Sequence, residues 1–353
     1  MRIGKLPENV LKRSVLRQIN KTGKKVDGAG LGEDCAVFPF PESGSVAVCV
    51  QEAAVLMNAA GRETSADAVA GIGQLIQRCA NNLAAGGAGM KEIRMALVLP
   101  ETAEEADIRN LMQEAEVKCQ ELDVRIAGGQ TRISGAVKSA VAVVTGHGLP
   151  FEAGEAGSAD SEPEGRRHSG TPAPGQDIVV SKWIGLEGTA ILARRNRERL
   201  LSRYPAYFVE EAAGFDRWLS VIPEAATAVK SGVCAMHDAS EGGILGALWE
   251  LAQRAGAGLT IDLKKLPLRQ ETVEVCECCN VNPYGLLSGG SLVMTAWDGQ
   301  SLAAALVAEG IPAVVVGKLT EGNDRIIQND GEIRYMDRPG QDEIYRWLSE
   351  TVH

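Results

Sequence analysis

The sequence predicts a layered α/β (α+β) protein of two domains, and three observations carry that expectation. Apolar strand-like runs alternate with helical periodicity in both halves. A polar stretch rich in Gly, Pro, Ser and Glu separates the halves. The 353 residues are enough for each half to bury its own core. Hydrophobic residues make up 45% and charged residues 23%, while aromatics fall to 4%. Ala, Val and Gly take their place, which suits close packing of helices on sheets and backbone approach to a ligand.

In the first half, Ser45–Val50 is a short apolar run expected to be a buried strand. A helix is expected from a cap at Thr64 or Ser65, with Val69, Ile72, Leu75, Ile76, Cys79 and Leu83 at helical spacing and Gly86-Gly87 as its stop. Thr102-x-x-Glu105 has the form of a capping box opening a second helix. Strands are expected at Val124–Ala127 and Ala136–Thr145. Leu149 to Gln176 reads as a mobile linker or long surface loop, giving domains at 1–149 and 177–353 with a connection at 150–176. In the second half, Asp177–Ser181, Ser291–Ala296 and Ala313–Val316 read as strands. A helix should start after Ser240 and run through Leu245, Leu248 and Leu251 to a Gly256 stop.

The net charge of −10 argues against a nucleic-acid protein. The first 25 residues carry eight Lys or Arg and one Glu, which reads either as a solvated basic helix face or as an arm that meets phosphate. No apolar run reaches the ~18 residues needed to span a membrane. Arg2 and Lys5 are followed by no apolar signal region, so a cytoplasmic protein is expected. Of eight cysteines, Cys35, Cys49, Cys79, Cys119 and Cys234 sit singly in apolar stretches, as buried small hydrophobes do in a reducing compartment. Cys276, Cys278 and Cys279 have no second Cys or His pair to complete a zinc site, so a structural helix is favoured over metal or redox chemistry.

Four loops carry the chemistry. Gly30-Leu31-Gly32-Glu33-Asp34 joins sharp turning to hard oxygen donors, Asn81–Ala88 ends a helix, and Gly128-Gly129-Gln130-Thr131 forms a turn after a strand. His237-Asp238-Ala239-Ser240-Glu241-Gly242-Gly243 opens a helix, where backbone N–H groups and the helix dipole favour an anion such as phosphate. No P-loop sequence occurs.

Gly32-Glu33-Asp34-Cys35-Ala36-Val37 resembles the G-[DE]-D-A-A-V loop of the AIR synthetase-like superfamily. Asn81-Asn82-Leu83-Ala84 resembles its N-D-[LI]-A element, Gly128–Thr131 its G-[GD]-[DHQ]-T turn, and His237–Gly243 its H-D-[AI]-[ST]-x-G-G loop. Gly175-Gln176-Asp177 through Thr189 is similar to the family's P-G-D strand and following helix. Gly4-Lys5-Leu6-Pro7 and the second half look most like the hydrogenase maturation factor E branch. The resemblance implies an N-terminal mixed-sheet domain that dimerises into a β-barrel, and a C-terminal α/β domain. It also implies ATP between them with Mg²⁺ on N-terminal carboxylates. Carried onto this chain, Asp34 and Glu52 become the metal and catalytic candidates. Gly32, Asn82, Gly129, Gln130, Thr131, His237, Asp238, Ser240, Gly242 and Gly243 become the nucleotide candidates. Activity would be phosphoryl transfer that activates a small-molecule oxygen in a homodimer. A thiamine-monophosphate-kinase-like reaction is a variant of it.

The carboxylate pattern departs from the family. Gln51-Glu52 stands where the strand usually ends in Asp, Asn82 replaces an Asp, and Gln130 occupies the Asp or His position. Metal affinity depends on ligand charge, so these changes put Mg²⁺ binding in question. The branch's C-terminal cysteine has no match, since the last cysteine is Cys279. The alternative expectation is therefore a catalytically depleted, dimeric nucleotide-binding or scaffold protein.

Overall fold

Alternation of buried and outward positions builds the first sheet. The computed structural model describes residues 8–17, 34–40, 44–54, 71–152 and 172–351. β1 (Ala36–Phe40), β2 (Gly44–Ala54), β3 (Ala88–Leu99), β4 (Arg125–Ile133) and β5 (Val141–Pro150) pair in the order β1-β2-β5-β3-β4. All neighbours are antiparallel except β3 and β4. The sheet is open, with β1 and β4 as its edges. A short helix α1 (Glu8–Leu11) continues as a π-helical turn, Lys12–Leu16, and presents Lys12, Arg13 and Arg17 to solvent.

Helices α2 (Ile72–Ala85) and α3 (Glu105–Glu121) pack on one face of this sheet. Ile72, Leu75, Ile76, Cys79 and Leu83 of α2 are wholly buried there with Ile93, Leu97 and Val144 of the strands. The glycine stop holds, because Gly86 is the C-cap of α2 and Gly87 has φ +80°. The expected start at Thr64 or Ser65 lies outside the described residues.

Three sequence expectations need correction. The second helix begins at Glu105, not at a Thr102 cap, because the Asp107 carboxylate accepts the Glu104 N–H at 2.8 Å and closes the first turn two residues later. The strand expected from Ala136 begins at Val141. Gly128–Thr131 is not a turn but the middle of β4, paired with Arg94–Leu97 of β3. Turn chemistry suggested glycine there, yet Gly129 serves close approach: a Cβ on it would lie 1.8 Å from the Met95 carbonyl oxygen.

The second half is a seven-stranded sheet between helical layers. Its strands β6 (Asp177–Ser181), β7 (Ala235–Asp238), β8 (Gly258–Asp262), β9 (Leu292–Ala296), β10 (Ala313–Thr320), β11 (Arg325–Asn329) and β12 (Glu332–Tyr335) run in the order β12-β11-β8-β10-β6-β9-β7. β6 and β9 read as largely apolar runs because both of their faces are covered. Helices α4 (Leu186–Arg195), α5 (Arg197–Leu201), α6 (Ala206–Ala213), α7 (Ile222–Lys230), α8 (Gly243–Ala255), α9 (Gln270–Cys279), α10 (Gly299–Ala308) and α11 (Glu343–Thr351) complete the domain. α8 covers one face of the sheet, while α7 and α10 cover the other. α4, α6, α9 and α11 make a separate apolar cluster that holds Cys276, Cys278 and Cys279. Burial drives the Cys279 thiol up to about 11, so the trio behaves as packing. Before β6, Gly175 donates to the Leu319 carbonyl at 2.8 Å, so packing of this half starts ahead of Asp177.

Candidate functional site between the halves

Helix α2 is shared by both halves, and this positions the site. Its Ala84 and Ala85 enter the apolar cluster formed by α7, β7 and β9 of the second half. Asn81, one turn earlier, is 1% exposed and acts as a two-sided clasp. Its amide nitrogen donates to the Leu219 carbonyl at 2.7 Å, and its oxygen accepts the Val221 N–H at 3.1 Å and the Gln77 amide at 3.0 Å. Arg78, on the same helix, reaches Glu187 of α4 at 2.7 Å. Glu187 is buried, and the Arg78 side chain keeps only 14% exposure.

Asp34 meets this helix and the second half together. Cys35 packs its sulfur against the C-cap of α2, where a Cβ on Gly86 would lie 2.0 Å from it. That contact needs glycine and brings the first loop to the second. Asp34 Oδ2 then sits 2.9 Å from Nδ1 of His237 at the end of β7. His237 Nε2 sits 3.0 Å from Glu250 of α8. An ionised carboxylate only accepts, so both ring nitrogens must donate and the imidazole carries a charge. Burial alone would push the imidazole down; Asp34 and Glu250 outweigh it and hold it up to about 10.

Asn82 lies near the Cys49 thiol of β2 and helps hold it down. The Cys79 thiol is the largest influence holding Cys49 below its ordinary range, with burial opposing and Gln51 and Asn82 assisting. Strand alternation sets the neighbouring side chains on opposite faces. Gln51 shares the Cys49 face, with its amide 3.9 Å from the sulfur. Glu52 lies on the other face beside exposed Val50 and is itself exposed. The structure therefore does not bring Glu52 to Asp34. Gly129, Gln130 and Thr131 sit on β4, at the opposite edge from β1 and about 19 Å away laterally at ~4.8 Å per strand. Gly32 lies outside the described residues.

The glycine loop is built as expected but is already engaged. Ala239 donates to the Ser291 carbonyl at 3.0 Å, and the Ser240 carbonyl accepts from Ser288 at 3.1 Å and from Gly243 at 3.2 Å. Gly242, at φ +92°, donates its N–H at 2.7 Å to the carboxylate of Asp342 ahead of α11. Asp238 is buried near Lys182, whose ammonium pairs with Glu224 at 2.5 Å and donates to the Trp218 and Ser220 carbonyls. Burial pulls the Lys182 ammonium down, and Glu224 and Asp238 oppose that pull.

These residues do not fit a dication. One Asp34 oxygen is taken by an imidazolium, Glu52 faces away, and Asn82 offers only a neutral amide. Among the described residues no group of three His, Cys, Asp or Glu side chains is placed to hold a metal.

The N-terminal model of AIR synthase-related proteins matches residues 32–149, and the C-terminal model matches residues 173–329. The chain belongs to the AIR synthase-related family. A carbamoyl dehydratase HypE of Rhodobacter capsulatus is 31% identical over 260 residues, covering 72% of this chain and 69% of that protein. Two solved structures share the fold. A hydrogenase maturation protein HypE in complex with ATP superposes with TM-score 0.65 at 17% identity, covering 97% of each chain. AaThiL complexed with AMPPCP and TMP gives TM-score 0.67 at 21% identity, covering 97% of this chain and 98% of that one. Among the described residues no helix is long and apolar enough to cross a membrane.

The family's motif residues, Asn81 among them, were legible in sequence; Arg78, Glu187, Glu250 and Asp342 were not singled out. Sequence placed Asn81 in a motif but not its clasp on Leu219 and Val221, and it gave no sign of the Gly242 and Leu287 partners of Asp342, all of them distant in the chain.

Proposed function

We propose that this AIR synthase-related protein binds an adenine nucleotide in the cleft between its halves, near Asp34, Asn82 and the His237–Gly243 loop. The observation that carries the reading is the convergence of the Asp34 loop, the α2 C-terminus and the glycine loop on one point, joined by the His237 imidazolium. The ATP and AMPPCP complexes of fold relatives support the choice of ligand. When bound, ATP would supply an activated phosphoryl group for a small-molecule oxygen. The protein's part would be to orient it and exclude water. The donor set around Asp34 favours the depleted variant of this reading, in which binding persists and transfer is slow.

Calorimetry with ATP is expected to show binding that survives a magnesium chelator, with turnover below about 1 per second. Asn82→Asp should make binding more responsive to magnesium. Absence of any heat with ATP sinks the nucleotide reading, and turnover at ordinary enzyme rates sinks the depleted one.

The same reading includes a homodimer. On the face of the first sheet away from α2, Val48, Val50, Ala96, Val98, Val141 and Val143 alternate outward, and among the described residues no helix packs on them. A second copy of that face would bury them. Sedimentation at micromolar concentration should give twice the 37.4 kDa chain mass; a monomer would remove the dimer from the proposal.

A further inference from the structure

Asp342 is a buried carboxylate that no part of the nucleotide reading uses. It is 2% exposed, and its hydrogen-bond partners among the described residues are all backbone N–H groups. Oδ2 accepts from Gly242 at 2.7 Å, while Oδ1 accepts from Leu287 at 3.2 Å and from Ile344 at 2.9 Å. The Ile344 bond is an ordinary helix cap. The other two are not, because they reach two loops separated from Asp342 by 100 and 55 positions.

Those two loops form adjoining walls of the site. Ser288, next to Leu287, donates to the Ser240 carbonyl at 3.1 Å, and its hydroxyl oxygen accepts the Gly185 N–H at 2.9 Å. One carboxylate thus ties the glycine loop to the 286–291 loop and fixes both to the C-terminal helix. Its hold turns the Gly242 N–H toward Asp342, so that amide shapes the loop and leaves phosphate to other groups.

We propose that Asp342 is a positioning residue of the nucleotide site, whose carboxylate locks the Ser240–Gly243 loop against the 286–291 loop. The inference rests on the nucleotide reading for its consequence, and on the three hydrogen bonds for its geometry. The titratable groups facing Asp342 are Glu241 from the glycine loop and Tyr345 from its own helix. Arg78 of α2 and Glu187 of α4 lie beyond, within the field of Tyr345. Burial pushes the carboxyl up to about 7, against the three backbone donors and with Glu241 adding to the push. A protonated carboxyl loses part of its accepting capacity, so the two protonation states of Asp342 hold the loops differently.

The test uses the full chain, ATP as the probe, and two readouts. The Gly242 amide signal in NMR should move with pH around a midpoint near 7 in the native protein and stay fixed in Asp342→Asn. The pH dependence of ATP affinity between pH 6 and 8 should differ between the native protein and Asp342→Asn, whose residual dependence is that of ATP alone. In Asp342→Ala it should fall at least tenfold. A Gly242 amide that does not titrate, or that titrates unchanged in Asp342→Asn, overturns the proposal. So does an Asp342→Ala protein that folds and binds ATP with native affinity. If the native protein binds no ATP, the nucleotide reading fails by itself, and the Gly242 signal alone decides whether Asp342 locks the loop.

Discussion

Arg78→Ala is expected to lower the free energy of unfolding by about 3–5 kcal/mol, the cost of leaving one partner of a buried ion pair without the other. Glu187 is 1% exposed, and the Arg78 guanidinium lies 2.7 Å from it across the junction of the two halves. The truncation therefore strands a carboxylate where water cannot reach it. Guanidinium denaturation of the two proteins measures the difference. Replacing both residues with apolar ones of similar volume, Arg78→Met with Glu187→Leu, should recover most of the loss, since no charge is then buried. A single-mutant effect below about 1 kcal/mol would place the pair among surface ion pairs and refute its role as a strut.

The second large effect is a pH dependence set by His237. Its imidazole is held up to about 10 in the fold, against an ordinary value of about 6.5 when unfolded. A raised value means that the folded state binds the proton more tightly. The stabilisation is fully present below about pH 6.5 and is lost as pH rises through the folded value near 10. Native protein should lose several kcal/mol of unfolding free energy across that window. His237→Gln should be less stable at pH 6.5 and nearly flat above it. Thermal or denaturant midpoints at pH 6.5, 8 and 10 separate the two. Parallel slopes would show that the ring is neutral and that one of its two carboxylate contacts is misassigned.

What was legible in the sequence follows the range of the forces involved. β6 was readable residue by residue, because Asp177–Ser181 is buried on both faces and bounded by polar neighbours. α8 was readable from its leucine spacing and its Gly256 stop, which takes φ +59° as a helix terminator should. Gly128 and Gly129 misled in a specific way. Composition shows that glycine is needed, but not whether the need is a turn or the close passage of another strand. The candidate site was legible only in its motif residues. Asp34 and His237 stand 203 positions apart, and nothing local in either segment announces the other. Gln51 and Glu52 show the finest limit, since adjacent polar residues differ only by which face the strand gives them.

The Asn81 clasp also bears on how the molecule is made. Its partners at Leu219 and Val221 lie 138 and 140 positions downstream. A ribosome that has finished the first sheet has therefore not yet synthesised the groups that satisfy this amide, nor the Glu187 that neutralises Arg78. Until they emerge, α2 exposes a polar seam on the side that the second half will cover. Closing contacts so distant in sequence costs loop entropy before it returns any stability, which slows folding. The nascent first half is thus the stage of synthesis most in need of protection from other chains.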